Sequence, residues 1–583
     1  MNKEKLKELA KKEWHIPYGK KVTNVIRAFS LTEKAIFGLF VIIFVWSGIS
    51  LLLQLNKFLL VQVPDYGGTL TEGVVGSPRF INPILASSDI DRDLTSIIYS
   101  GLLKVNSIGQ LVPDLAESYT VSGDSLTYTF KLKDDIYFHD GVRLTADDIV
   151  FTIEKAQDPN LKSSKEANWS GVLVKKIDDR TVSFTLKQPF SPFIQNATLG
   201  ILPKHIWNTA NIDEIPFSQY NVKPVGTGPY KLASIVYTKS GLPGEYHLVS
   251  FTKYALDKPY ITNLVIKSYQ NEKDLTDAYK NGNIESLHSV SPKELPSLQV
   301  ASDDIILSPL PRIFGVFFNQ NVQPVFVYKE VRQALDLATD KQAIVDEVLG
   351  GYGQPIDSPV PLTTISDSTA TTSQTERLEK AKAILTKAGW KQNANGIFEK
   401  KDKKSTVTLA FSISTGSATE LKEAAYLLQK QWGGVGAQVD VKIFEVSDLN
   451  QNVIRPRKYD SLLFGEVIGR DLDLYPFWHS SQRNTPGLNI AMYTNIKADK
   501  LLENIRNSNN PSQQRSYLNS FSKEISNDTP AVFTYSPYFI YIVPKKVQGV
   551  NLGTVTQPWE RWNDIESWYI ETNNVWTIFT KNN

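Results

Sequence analysis

The sequence predicts an α/β protein set behind a single membrane-spanning helix, and three stretches carry that expectation. Between Pro113 and Phe151, apolar Leu126, Tyr128, Phe130 and Leu132 alternate with Thr127, Thr129, Lys131 and Lys133. A period of two lines one face of a strand. Farther on, Glu420 to Trp432 reads as a helix stopped by Gly433-Gly434 and followed by a strand from Gln438 to Phe444. Strands alternating with helices imply α/β layers with ligands near the strand ends. Near the start, Ala35 to Asn56 is 22 residues without a charged side chain. Roughly 20 helical residues cross a 30 Å hydrocarbon core, so this stretch is long enough to span.

Nine basic side chains (Lys3, Lys5, Lys7, Lys11, Lys12, Lys20, Lys21, Arg27 and Lys34) face four acidic ones (Glu4, Glu8, Glu13 and Glu33) before that segment. The positive-inside rule keeps this arm, 1–34, in the cytoplasm, makes 35–56 the anchor and places everything after about Leu60 outside. A cleaved signal peptide is the alternative, but it calls for a shorter apolar stretch and a small-residue cleavage site. At 583 residues and 41% hydrophobic, the chain is long enough for several cores. The formal net charge of +2 and the lack of basic stripes exclude a nucleic-acid binder. Cysteine is absent, which removes disulfides, thiolate metal sites, a cysteine nucleophile and a lipid-modified cysteine together.

The elements then follow in order. Thr69 to Val75 reads as a first strand, Asn82-Pro83 as a turn, and Asp93 to Leu103 as a helix entering a short strand. Turns at Ser122-Gly123-Asp124-Ser125 and His139-Asp140-Gly141 bracket the alternating strand, and Thr145 with Asp148 forms a capping box ahead of Ile149, Val150 and Ile153. Val182, Phe184 and Leu186 alternate again. Gly226-Thr227-Gly228 precedes Pro229 and a strand rather than a helix, so a phosphate loop is excluded and the glycines are read as letting the chain cross between domains. Ile313 to Asn319 is a strand, and Val331 opens a helix. Thr339 and Gln342 suggest a second capping box, and Gly350-Gly351 stops that helix. Leu378, Ala381, Ile384, Leu385 and Ala388 make an amphipathic helix closed by Gly389.

The wording of these elements is more specific than their pattern. Ala116-Glu117-Ser118, the Gly123-Asp124 turn, Leu126 to Lys133, Phe138-His139-Asp140-Gly141 and Leu144 to Phe151 together resemble the signature of the peptide and nickel solute-binding proteins of ABC importers. Tyr99 to Leu103, Leu202 to His205, Gly226 to Tyr230, Val331 to Leu335 and Leu349 to Gly353 are similar to further segments of that family, so the resemblance runs from about Gly67 to about Val550. It implies a periplasmic-binding-protein-like (type II) two-lobed fold with an extra subdomain. Lobe I would comprise 64–107, 226–310 and 537–583, the subdomain 108–225 and lobe II 311–536, with the ligand between the lobes.

No constellation of reactive groups stands out. The histidines His15, His139, His205, His247, His288 and His479 are not paired at metal-ligand spacing, and there is no His-Glu-x-x-His, Gly-x-Ser-x-Gly or Walker loop. No catalytic residue, metal or cofactor is expected, and His139 is read as structural from its place in a turn. The resemblance implies that Asp471, or as second choice Asp473, pairs with a peptide ligand's amine. The family usually carries Trp where Glu466 stands, and the spacing from Gly465 to Asp471 is altered, which bears on peptide specificity. Trp169, Trp478 and Tyr493 are candidate ring contacts, with ordinary core as the alternative. Ser87, Ser88 and Asp89 correspond to a cleft-lining loop in the family.

The expectation is therefore a monomeric, membrane-anchored extracytoplasmic receptor. It would capture peptides or a similar small solute for ABC permease subunits with their ATPases, without nucleic acid. Alternatives are the same fold on a nickel chelate or oligosaccharide, a surface adhesion, signalling or chaperone protein, and a hydrolase with a triad assembled in space.

Overall fold

A computed structural model describes residues 25–208, 211–301, 304–360, 373–402, 405–470, 472–508 and 510–577. Most of the basic arm 1–34, and Asp471, lie outside the described residues. The chain divides into two units, Tyr66–Glu571 and a smaller one from the two ends.

In the smaller unit the helix is Leu31–Leu59, 29 residues with none buried. It begins earlier than the uncharged stretch because Ser30 and Glu33 build a capping box there. Strand Leu60–Asp65 follows and pairs with Glu571–Trp576. Trp576 Nε1 donates to Asn56 Oδ1 at 2.8 Å, and Asn573 Nδ2 to Asp65 Oδ2 at 2.7 Å.

The larger unit is built on a 12-stranded sheet in which one strand, Ala531–Ile542, belongs to two halves. Its first half pairs antiparallel with Arg312–Phe318 (Phe317 opposite Ala531), and its second half with Ile305–Pro309 (Leu307 opposite Ile540). Ser461–Val467, Ala410–Gly416 and Gln438–Phe444 extend the first half. Ser286–His288, Gly67–Val75, Ile261–Tyr269, Pro243–Ser250 and Tyr230–Tyr237 extend the second. The chain passes between halves at Leu310-Pro311 and again at Ser536-Pro537, where proline removes a ladder donor; Ser536 Oγ donates to Leu310 O at 2.6 Å and ties the crossings together. Burial follows the same division. Two hydrophobic clusters draw only on residues between Ile313 and Tyr535, and the other two take the remainder, so each half carries its own cores.

The extra subdomain is a four-stranded antiparallel sheet, ordered Ala116–Val121, Thr127–Leu132, Thr181–Thr185, Leu173–Asp178. Tyr128, Phe130 and Leu132 are buried along its second strand, the face the alternation predicted. The helix after it, Ala146–Gln157, starts at the expected box: Asp148 Oδ2 accepts from Thr145 N at 2.8 Å, while Oδ1 accepts from Lys204 N at 2.9 Å.

Three local readings need correction. The second capping box does not form; Asp340 caps Lys341–Leu349 by accepting from Ala343 N at 3.0 Å, and Thr339 Oγ1 instead donates back to Leu335 O. Gly433 and Gly434 lie inside helix Thr419–Val435, which ends at Gly436, the position with φ +104°. Gly226 and Gly228 serve close approach: a Cβ at either would run into the carbonyls of Ile97 or Ile98, whereas Gly228 N–H donates to Ile98 O at 2.8 Å.

A buried ion network joins the return of the chain to its beginning. Arg561 Nη1 lies 2.6 Å from Asp93 Oδ1, Arg561 Nε donates to Glu72 Oε1 at 2.8 Å, and Tyr541 donates to Glu72 Oε2 at 2.7 Å. Burial raises the Asp93 carboxyl, but Arg561 and then His288 outweigh it and hold it down at about 2.

Candidate ligand-binding cleft

Between the subdomain and the loop after strand Ser461–Val467 lies a cavity of about 1130 Å³. One wall comes from Asn168, Phe190, Gln195 and their neighbours, another from Gly469, Arg470, Pro476 and Arg506, and a third from Thr556 to Glu560. A side chamber of about 200 Å³ shares Lys165, Asn168, Gln195, Asn196 and Thr198 with it and adds Arg92, Trp169 and Trp559. A further recess of about 170 Å³ holds Lys104, Asp114 and Glu566. Burial pushes the Asp114 carboxyl up to about 7 against the opposing pull of Lys104.

Local bonds fix these walls. Asn168 Nδ2 donates to Asn196 Oδ1 at 3.0 Å, and Asn196 Nδ2 returns a bond to Asn168 O at 3.0 Å. Tyr475 is held between His479 (ring centroids 4.0 Å apart) and the Arg506 guanidinium (3.9 Å above the ring). Hydrogen bonds cross the cleft, among them Gln514 Nε2 donating to Ser191 Oγ at 3.4 Å. Arg470 Nη2 meets Glu560 Oε2 at 2.6 Å and Thr554 O at 3.0 Å, and Ser191 Oγ donates to Arg506 O at 3.1 Å.

The sequence candidates divide. Gly469 and Arg470, immediately before Asp471, face the cavity. Asp473 is bonded bidentately to Arg506 (2.9 and 2.6 Å), so it positions a wall cation instead of standing open to a ligand amine. Trp169, 2% exposed, packs tilted against Phe184 and edge-to-face against Phe193, and it lines the side chamber. Trp478 and Tyr493 are core, not cleft lining: Trp478 lies among Phe317, Phe521 and Phe533, and Tyr493 donates to Asp528 Oδ2 at 2.7 Å. Trp478 ends the short helix Tyr475–Trp478 and Tyr493 lies outside any helix or strand, so no periodicity encodes either ring's place. Ser88 caps helix Asp89–Ile98, and Ser87 and Asp89 are exposed beside it; the chamber is lined instead by Ala86 and Arg92 on either side. Glu466, where the family has Trp, is buried, and burial pushes its carboxyl well up against a smaller opposing pull from the Trp478 side chain.

His139 is structural, its ring pinning the Gly226–Gly228 turn: Nδ1 accepts from Gly226 N at 3.3 Å and Nε2 donates to Gly228 O at 3.0 Å. Burial pushes it down to about 4. Among the described residues no group of three or more His, Cys, Asp or Glu is placed to hold a metal. Sequence reasoning missed Arg92, Lys165, Arg470, Arg506, Trp559 and Glu560. Only Arg470, adjoining the acidic segment, carried a signal.

Two α/β lobes joined by paired crossing strands, with a large cavity walled from both, define a two-lobed ligand-binding protein. The family model described as bacterial extracellular solute-binding proteins, family 5, matches residues 110–487, and the chain belongs to that family. Its members are extracytoplasmic binding proteins rather than enzymes. The chain is 29% identical over 517 residues to the oligopeptide-binding protein AppA of Bacillus subtilis, covering 87% of this chain and 92% of that one. The solved structure of that AppA in complex with a nonapeptide has a TM-score of 0.64 at 27% identity, covering 87% of this chain and 100% of that one. NikZ of Campylobacter jejuni in complex with Ni(L-His) has a TM-score of 0.65 at 26% identity, with coverages of 86% and 99%. The ABC transporter substrate-binding protein CtaP of Listeria monocytogenes has a TM-score of 0.71 at 27% identity, with coverages of 87% and 100%.

Proposed function

We propose that this chain is a monomeric, membrane-tethered receptor that takes peptides of several residues into the interlobe cleft and delivers them to an ABC permease with its ATPases. The observation that carries this reading is the cavity of about 1130 Å³ walled by both lobes. Pockets for drug-sized ligands run to roughly 300–1,000 Å³, so this one has room for a short chain. Its wall supports the same reading: Asn168, Gln188, Gln195 and Asn196 offer amides to a peptide backbone, and Phe190 offers a ring to side chains. The AppA complex with a nonapeptide adds a relative with a ligand of this class. Within this reading Asp471 takes the peptide's ammonium, and helix Leu31–Leu59 is the tether. A nickel chelate is the second reading, favoured by the NikZ neighbour and by Glu466 in place of Trp.

Native purification of the full chain followed by mass spectrometry of the retained ligand tests the proposal. Peptides released on denaturation support it. Recovery of a sugar or a nickel chelate in stoichiometric amount replaces it.

A further inference from the structure

We infer that Lys165 and Arg92 form a carboxylate subsite in the side chamber of the cleft. The inference rests on the peptide reading above and assigns one end or one acidic side chain of the ligand to a place.

Charge matching within the cleft singles the chamber out. In the main cavity the wall arginines are already neutralised, Arg470 by Glu560 and Arg506 by Asp473. In the side chamber no described lining residue is acidic. Among the described residues Lys165 has no ion-pair partner, and the charged group that acts on it is Arg92, of like sign. Burial, and then Arg92, hold its ammonium below the usual lysine range. The one described acid that Arg92 reaches is Asp89, at 3.6 Å on the exposed face of its own helix, and its guanidinium stands 5.0 Å over the Trp559 ring. Lys187 also lacks an acid partner among the described residues, but it is exposed and lines the main cavity rather than the chamber.

The two cations are held in one frame. Lys165 N donates to Ser163 Oγ at 3.1 Å, and Ser163 Oγ donates to Ile84 O at 2.6 Å, which ties the lysine loop to the segment leading into helix Asp89–Ile98. The Thr95 hydroxyl, on that helix and on the chamber wall, is buried without a protein partner. Two converging cations that repel each other, a spare hydroxyl donor and about 200 Å³ of space suit a planar anion with a few carbon atoms behind it. A bound carboxylate relieves the repulsion and restores a partner to a desolvated ammonium. Those gains exist only in the liganded state, so they select for the group.

The test uses the full chain in detergent and three pools of mixed-sequence peptides of two to nine residues: free acids, C-terminal amides, and amides with Glu in place of Gln. Binding is read by calorimetry on the normal protein and on Lys165→Gln, Lys165→Arg and Arg92→Gln. Free acids binding about 10- to 100-fold tighter than amides, with the contrast lost in Lys165→Gln, reduced in Arg92→Gln and kept in Lys165→Arg, supports a subsite for the terminal carboxylate. The same contrast between the Glu and Gln amide pools supports it with an acidic side chain as the source. If all three pools bind the normal protein equally, the subsite is refuted and the peptide reading stands. If no pool binds, the peptide reading falls and the subsite with it.

Discussion

Arg470→Ala should shift the unliganded protein toward an open cleft. The guanidinium crosses from the loop after strand Ser461–Val467 to Glu560 and to the Thr554 carbonyl. The two side chains are 13% and 16% exposed, so salt and solvent screen the pair little. Breaking a fully buried pair costs about 3–5 kcal/mol because a charge is stranded. Glu560 would not be stranded, since Thr556 N and Thr556 Oγ1 both donate to it at 2.6 Å. The remaining donors and the partial exposure lower the loss to about 1.5–3 kcal/mol, which is about 10- to 150-fold in the closure equilibrium. The absence of cysteine allows clean labelling through Tyr237→Cys and Tyr426→Cys, exposed positions on the two lobes. Energy transfer between the labels then reports lobe separation in Arg470→Ala, Glu560→Gln and the double variant. A coupling of about 1 kcal/mol or more between the two sites is expected. Additive single effects, or an unchanged distance distribution in Arg470→Ala, would refute the argument that this pair holds the lobes together.

Glu466→Gln should raise the melting temperature, and by more as pH rises. The folded carboxyl titrates well above its unfolded value, so Glu466 costs stability progressively above about pH 4.5, and a neutral amide removes that cost. Asp114→Asn should behave alike: the folded carboxyl titrates at about 7 against an unfolded value near 3.8, so the normal protein loses up to about 4 kcal/mol between those values and the variant gains most at pH 8. His139 has the opposite sign. Its folded value of about 4 lies below the unfolded 6.5, so stability falls by up to about 3 kcal/mol as pH drops through that window, and His139→Gln should flatten this slope in thermal melts. Asp471→Asn should weaken peptide binding by roughly 2–5 kcal/mol, and acetylated peptides should lose affinity for the normal protein but lose little further in the variant, as read by calorimetry.

The parts of the fold legible in the sequence were those encoded locally. The alternation at Tyr128, Phe130 and Leu132 and the Thr145–Asp148 box needed only neighbouring residues to be read, and both formed. The misreadings came where tertiary partners decide. Thr339 yields the cap to Asp340, while its hydroxyl turns back to Leu335 O and accepts from Trp432 Nε1 at 3.0 Å. Gly433 and Gly434 stay helical because Trp432 and Val435 are buried on the same turn, and burial outweighs a glycine cost of about 1 kcal/mol each. The cleft was least legible. Lys165, Arg506 and Glu560 come from three distant stretches without periodicity, and only the fold brings them to one cavity.

Asp473 is committed to Arg506 rather than to a ligand. To accept a ligand ammonium, it would have to release a bidentate bond to Arg506, whose own position is reinforced by the Tyr475 ring, and the ligand's gain would be offset by a stranded guanidinium. The same holds for Glu560 and Arg470. With both wall arginines matched to carboxylates in this way, the main cavity offers a ligand amides and rings, and the ammoniums of Lys165 and Lys187 are the charges left over. Discrimination then falls on the few unmatched groups toward its edges. Selection should follow ligand length and terminal charge more than sequence, because those features decide whether a ligand reaches the unmatched groups at all.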